Sequence, residues 1–229
     1  MLYVGSIAID RSLQLLGKSA SIIDGEAVGR VITVAAPDVV VRGVTVQNSG
    51  VSLATEDSGI FVTSDGDGAL IDANQLQGNL IGVYLKGPEN AVVQRNVITG
   101  STDPHVNDRG NGVQLWNTPG SLVEDNDIRY GRDGIFVTTS RNNIFRGNRM
   151  RDLRFAIHYM YTNDSKVSDN YSTGNHVGYA LMYSSRLQVN NNVSDGDRDR
   201  GLFFNYTNHS VISDNHVKGG AEKCVFIYN

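Results

Sequence analysis

Cysteine is nearly absent from this 229-residue chain, Cys224 being the only one. An intrachain disulfide and a cysteine-rich zinc site are both excluded. Proline is scarce too, with 4 residues, so the turns of the chain must rest on other residue types. Charged residues make up only 19% and sum to −4. That excludes a highly charged disordered tail and lacks the basic stripe of a nucleic-acid binder. No apolar run reaches the ~18–20 residues that a membrane-spanning helix needs. What is abundant is Gly, at 25 residues, and Asn, at 22. These tolerate left-handed turn conformations best, and their spread along the chain implies many tight turns.

The turns recur with a period. Asn stands at 74, 96, 126, 148, 170, 192 and 215, spaced by 22, 30, 22, 22, 22 and 23. The 30 is one 22-residue unit plus eight, which predicts an inserted loop at about 99–111. A second register holds small residues: Gly59, Gly82, Gly112, Gly134, Ala156, Gly178, Gly201 and Cys224. A period of ~22 with β-branched triplets, Gly and Asn suits a parallel β-helix of one coil per repeat. The expected fold is therefore all-β, a right-handed parallel β-helix forming a single domain over 1–229. Both ends of the sequence read as strand, from Met1 to Asp10 and from Cys224 to Asn229. The expectation is a fragment cut at both ends or begun at an internal Met. The seven Asn are expected to stand at left-handed turns and to form a stacked amide ladder.

The columns of the repeat assign faces, because side chains two apart on a strand share a side. Ile135 and Val137, with their counterparts in other coils, are apolar throughout and must face the core. The alternate columns point outward, yet they carry Phe61, Tyr84, Phe136, His158, Phe203 and Phe226, and Trp116, Met160 and Met182. A contiguous apolar outer face marks either a partner surface or a surface that another segment covers. Trp116, Phe136, Tyr183 and Phe203 are the candidate partner-docking residues. Tyr161, Tyr183 and Tyr206 share the next column and would stack along its rim.

Three groups could carry chemistry. His158, Met160 and Met182 lie two apart on one strand and one coil apart in one column. An imidazole and two thioethers suit Cu(I), which accepts soft ligands and low coordination numbers. The same residues also read as apolar padding beside a surface histidine. The predicted insertion holds Asp103, His105, Asp108 and Arg109. Asp103, His105 and Arg109 could supply a base and a carboxylate clamp for uronate chemistry. Asp103-Pro-His105 resembles three residues of a motif in alginate epimerases, but Val106 stands where that motif has a further Asp. The charged runs Arg129–Asp133, Arg151–Arg154 and Asp195–Gly201 read as solvated turns with weak local ion pairs. His176, His209 and His216 read as surface residues, and Cys224 has no evident role.

Several longer runs together resemble NosD proteins. They are Arg129-Tyr-Gly-Arg-Asp-Gly-Ile-Phe-Val137, Phe145-Arg-Gly-Asn148, the run from Arg151 to Asp164, Asn175-His-Val-Gly-Tyr-Ala-Leu-Met182, Ser194-Asp-Gly-Asp-Arg-Asp199 and the run from Glu222 to Asn229. The resemblance covers nearly the whole chain and is densest from about residue 107 onward. It implies a periplasmic accessory protein, not an enzyme, in the maturation of nitrous oxide reductase. It further implies copper delivery to the copper–sulfur centre of the reductase, in company with an ABC-type membrane permease, its ATPase and a copper chaperone. It does not identify copper ligands. The copper context and the soft donors found above meet at the segment from His158 to Met182. A carbohydrate-active epimerase or lyase, and a metal-free docking scaffold in the same assembly, stand as alternatives.

Overall fold

In a computed structural model that describes all residues except Ser19, Pro104, Ala221 and Asn229, the 22-residue rhythm becomes a stack of coils. The described strands form three sheets of 10, 10 and 9 strands, each pairing with its counterpart in the next coil. The recorded pairings are parallel and keep one register, such as Val123 against Phe145, then Val167, then Val189. Val, Ile, Leu and Phe from all three sheets fill one continuous core along the axis. The only helical element among the described residues is a single 3-10 turn, Val106–Asp108.

The recurring Asn forms the expected ladder. Asn126 donates from Nδ2 to the Val93 carbonyl at 3.0 Å and to Asn148 Oδ1 at 2.9 Å. Its own Oδ1 accepts from the Asn96 main-chain N–H and Nδ2, both at 3.0 Å. The pattern repeats from Asn74 to Asn215, and Val44 enters it by donating its N–H to Asn74 Oδ1. One detail differs from expectation: the left-handed residue is the one before the Asn. Ala73, Arg95, Asp125, Gly147, Asp169, Asn191 and Asp214 all have positive φ. The preceding residue makes the bend, and the Asn points inward to satisfy the buried amides.

The small-residue register has an equally local cause. A Cβ at Gly134 would lie 2.6 Å from the Ala156 carbonyl oxygen, and one at Gly178 would lie 2.5 Å from that of Gly201. The coils approach too closely there for most side chains. In the second of the three sheets met along each coil, the middle sheet, the strands lengthen to nine residues: Asp133–Arg141, Phe155–Asn163, Val177–Ser185 and Arg200–Asn208. Each bends at its seventh residue, Thr139, Tyr161, Tyr183 or Tyr206, where φ is positive.

The predicted insertion lies between the strands Val97–Thr99 and Val113–Trp116. A second one, not anticipated, lies between Thr45–Gln47 and Ser58–Val62, two coils earlier at the same corner. The paired residues Thr45 and Gln75 are 30 positions apart, as are Val97 and Asp127.

Candidate functional site

The inward columns are buried as expected: Ile135, Val137, Ile157, Tyr159, Tyr179 and Leu181 have no exposed surface. Val225 and Ile227 continue them in the last coil and are exposed. The outward face of the middle sheet divides in two. Toward the start of the chain, Phe61 and Tyr84 meet edge to face at 5.3 Å and are only 4% exposed. The Arg30 guanidinium lies 3.4 Å above the Phe61 ring. Arg30 is held by Glu56 at 3.1 Å, and Glu56 is held in turn by Lys86 at 2.7 Å. Glu56 belongs to the earlier insertion, so that loop and its ion pairs roof the aromatic pair.

Further along, the same columns carry His158, which pairs in register with Phe136 on one side and Ala180 on the other. Its ring lies 5.0 Å from that of Phe136 and 4.9 Å from that of Phe155. Nδ1 of His158 is 2.9 Å from Asp133 Oδ2. Arg154 donates to the same carboxylate through Nε at 2.8 Å and a terminal nitrogen at 2.6 Å, a bidentate pair, and that terminal nitrogen also lies 3.4 Å from His158 Nδ1. Asp133 is buried, with 1% of its side chain exposed. Burial pushes its carboxyl pKa up, but the hydrogen bonds from His158 and Arg154 and the Arg154 charge outweigh burial and hold it below the ordinary 3.8.

An ionised carboxylate only accepts, so His158 must carry its proton on Nδ1 to make this bond. In the neutral imidazole the Nε2 lone pair is then free. Nε2 is buried and has no hydrogen-bond partner. A buried polar atom without a partner is costly, and here it belongs to a ring whose orientation is fixed from its other nitrogen. Metal-binding histidines are commonly set in this way, by a carboxylate that accepts from the ring nitrogen not facing the metal.

The charged runs are therefore not uniformly solvated turns. Asp133 and Arg154 form a buried cluster, and Asp197 has no exposed surface and accepts hydrogen bonds from Ser172, Ser194 and the Asn175 N–H. Alternating charge along the sequence concealed that successive coils bring opposite signs together across the stack.

The other predicted residues are placed as follows. Met160 and Met182 are direct register partners, both half-buried on the outward side, and Met182 Sδ lies 4.0 Å from the Asn205 amide nitrogen. No group of three His, Cys, Asp or Glu side chains that could hold a metal occurs among the described residues, so a metal here would need thioether donors. Trp116 is 43% and Tyr183 40% exposed, while Phe136 and Phe203 are half-buried. Tyr161, Tyr183 and Tyr206 stack at 5.2 and 5.3 Å as anticipated. Their left-handed backbone costs roughly 1–3 kcal/mol each in strain.

In the insertion, Asp103 and His105 are exposed, and Asp103 accepts the His105 main-chain N–H at 2.8 Å. The Arg109 Nε–H goes to the Asp103 carbonyl oxygen. These residues do not assemble a histidine–carboxylate pair with an aimed guanidinium; the Pro104 between them lies outside the described residues. Val106, Asn107 and Arg109 instead wall a cleft of ≈ 490 Å³ whose other side holds Leu153, Arg154 and His176. His176, His209, His216 and Cys224 are exposed.

A parallel β-solenoid whose outer face carries an oriented, unpartnered imidazole, with Met160 two residues on along its strand and Met182 in the next coil, has the form of a binding protein. Comparison with known proteins agrees with that class. The family model described as "Periplasmic copper-binding protein (NosD)" matches residues 102–229. The chain belongs to the NosD family. It is 34% identical over 241 residues to a "Probable ABC transporter binding protein NosD" of Stutzerimonas stutzeri, covering 99% of this chain and 55% of that protein. The chain thus spans about half the length of that curated relative. Among solved structures, the Dettilon tailspike protein matches with a TM-score of 0.76 at 15% identity, covering 94% of this chain and 54% of that one. An alginate lyase from Paenibacillus sp. str. FPU-7 matches with a TM-score of 0.68 at 11% identity, covering 96% and 89%. At such identities these two likenesses concern the fold alone.

Proposed function

We propose that this chain is part of a periplasmic accessory protein that assists the maturation of nitrous oxide reductase by passing copper toward its copper–sulfur centre. It would receive Cu(I) from a copper chaperone and act with the permease and ATPase of an ABC-type complex, to which ATP hydrolysis belongs. The copper is cargo, held by His158 Nε2 with Met160 and Met182. The observation that carries the reading is the buried Nε2 of His158, without a partner and fixed through Nδ1. The family description and the relative's name support the copper and transporter context. A site of one imidazole and two thioethers on an outer face suits transfer by ligand exchange, since soft donors hold Cu(I) at low coordination number.

The test is an anaerobic Cu(I) competition titration of the wild-type chain and of a His158→Ala, Met160→Leu, Met182→Leu variant. Stoichiometric binding that disappears in the variant is expected. A folded wild type that leaves the chelator fully loaded overturns the site.

A second reading, a metal-free docking scaffold, draws on the exposed tyrosine stack. Met182→Leu alone separates the two, because Leu keeps the volume and removes the sulfur. Copper binding should fall under the first reading and partner association alone should change under the second. The epimerase or lyase alternative has no assembled set of groups in the Asp103, His105 and Arg109 loop to recommend it.

A further inference from the structure

Asp133 and Arg154 touch no proposed copper donor except His158, yet they are the most deeply buried charge pair of the outer face. Only 1% of the Asp133 side chain and 23% of that of Arg154 are exposed. Burying such a pair has a desolvation cost that its mutual attraction barely offsets, so its presence calls for a reason other than stability. The geometry supplies one. Asp133 has two oxygens and three bonds to accept. Oδ1 takes the Arg154 Nε–H at 2.8 Å; Oδ2 takes the terminal guanidinium N–H at 2.6 Å and His158 Nδ1 at 2.9 Å. The guanidinium is locked by its fork and further held over the Phe155 ring at 4.5 Å. Arg154 thus fixes the carboxylate, the carboxylate fixes the imidazole, and Phe136 and Phe155 confine the ring from two sides.

We infer that Asp133, oriented by Arg154, is a positioning residue that keeps the His158 proton on Nδ1 and so presents the Nε2 lone pair to copper. This rests on the copper reading given above, and adds to it a device that decides which nitrogen can bind. The alternative tautomer, with the proton on Nε2, would put a donor where a ligand is needed and would leave two acceptors, Nδ1 and the carboxylate, facing each other.

The substitution that discriminates is Asp133→Ala. It removes both acceptor oxygens and leaves the Arg154 guanidinium, whose terminal nitrogen lies 3.4 Å from His158 Nδ1, as the charged group facing that nitrogen. A guanidinium can only donate, so Nδ1 becomes the acceptor and the imidazole proton moves to Nε2. Arg154→Gln is the control: it also breaks the buried ion pair, but leaves the Asp133 carboxylate to accept from Nδ1, so the tautomer is retained.

The experiment has two readouts. The first is long-range ¹⁵N–¹H correlation on the metal-free, histidine-labelled protein, with His158→Ala to assign the ring. Expected are Nδ1–H in the wild type, Nδ1–H in Arg154→Gln and Nε2–H in Asp133→Ala. The second is the Cu(I) competition titration, in which Asp133→Ala is expected to lose about 10- to 100-fold in affinity. A wild-type ring protonated on Nε2 overturns the inference, and that result does not require any variant to fold. An Asp133→Ala protein that keeps its proton on Nδ1, or that reverses its tautomer yet binds copper as the wild type does, overturns it too. A wild type with Nδ1–H that binds no copper overturns the copper reading instead, and with it the ligand role of the positioned nitrogen.

Discussion

The outer face of the middle sheet is aromatic along most of its length, but its two halves treat that surface differently. In the earlier half an inserted loop supplies Glu56, which holds Arg30 and Lys86 across Phe61 and Tyr84. The ion pairs there are partly solvated, each side chain being between 25% and 39% exposed. In the later half no described loop forms such a roof: Phe136, Phe203 and Phe226 stay half-buried, His158 is buried between Phe136 and Phe155, and the charges go beneath the surface. Asp133 is buried, and Arg154 reaches it from the edge of the coil. Arg200 lies 5.0 Å from the Phe203 ring and 4.9 Å from that of Phe226 without closing them off. The difference teaches that an apolar column on a solenoid does not by itself mean an interface. Where the chain covers its own aromatics, the polar groups serve as a lid. Where it does not, they are spent on orienting one imidazole.

Stability separates the halves most sharply. Asp133→Ala leaves Arg154 without its counter-charge in a mostly buried place and removes the partner of His158 Nδ1. A loss of about 3 kcal/mol is expected, read as a fall in the urea midpoint. Glu56→Ala breaks two pairs that water already reaches, and should cost only about 1 kcal/mol. Its stronger signature is the uncovering of Phe61 and Tyr84, seen as new binding of a hydrophobic dye. Equal costs for the two substitutions, or dye binding by the Asp133 variant alone, would break the comparison.

The fold was legible in the sequence because each coil repeats the same physical demands. The Asn at 74 through 215 answers one buried set of amides per coil, and the small residue at Gly134 and its counterparts answers one close approach per coil. A demand met seven or eight times leaves a period. The copper ligands proposed from columns, His158, Met160 and Met182, came from the same logic. What was not legible occurs once. Asp133, Arg154 and His158 come from two coils and three columns, so no period marks them. A signal was present all the same: Asp133 shares its register with Phe155, Val177, Arg200 and Lys223, and is the one acid among these paired residues. The earlier insertion escaped for a related reason. The shift from Val44 to Asn74 is 30 residues, the same as that from Asn96 to Asn126. Without an Asn at 44 the ladder gives no mark there, although Val44 contributes its N–H to the structure.

The smallest effect tests whether the later half also carries a charge that stability alone would not keep. Asp197 stands in the register of Asn175. There the preceding coil uses an amide: Asn175 Oδ1 accepts the Leu153 N–H at 2.8 Å, and its Nδ2 donates to Ser172 Oγ at 2.9 Å and the Met150 carbonyl at 3.0 Å. Asp197 accepts the Asn175 N–H at 2.9 Å and the hydroxyls of Ser172 and Ser194 at 2.6 and 2.5 Å. Burial pushes its pKa above the ordinary 3.8 despite those bonds. The folded protein therefore holds this proton more tightly than the unfolded chain. The stabilisation from protonated Asp197 is fully present below 3.8 and is lost as pH rises through the folded-state value. Asp197→Asn should remove that loss, because an amide restores the ladder group and both serines can rotate their hydroxyls to accept from it. The variant should match or exceed the wild type by about 1 kcal/mol at pH 7, and the difference should shrink toward pH 3 in a series of urea midpoints. A variant that grows relatively weaker as pH rises would mean that the two hydroxyl donors require the carboxylate, and that this buried charge belongs to the structural ladder after all.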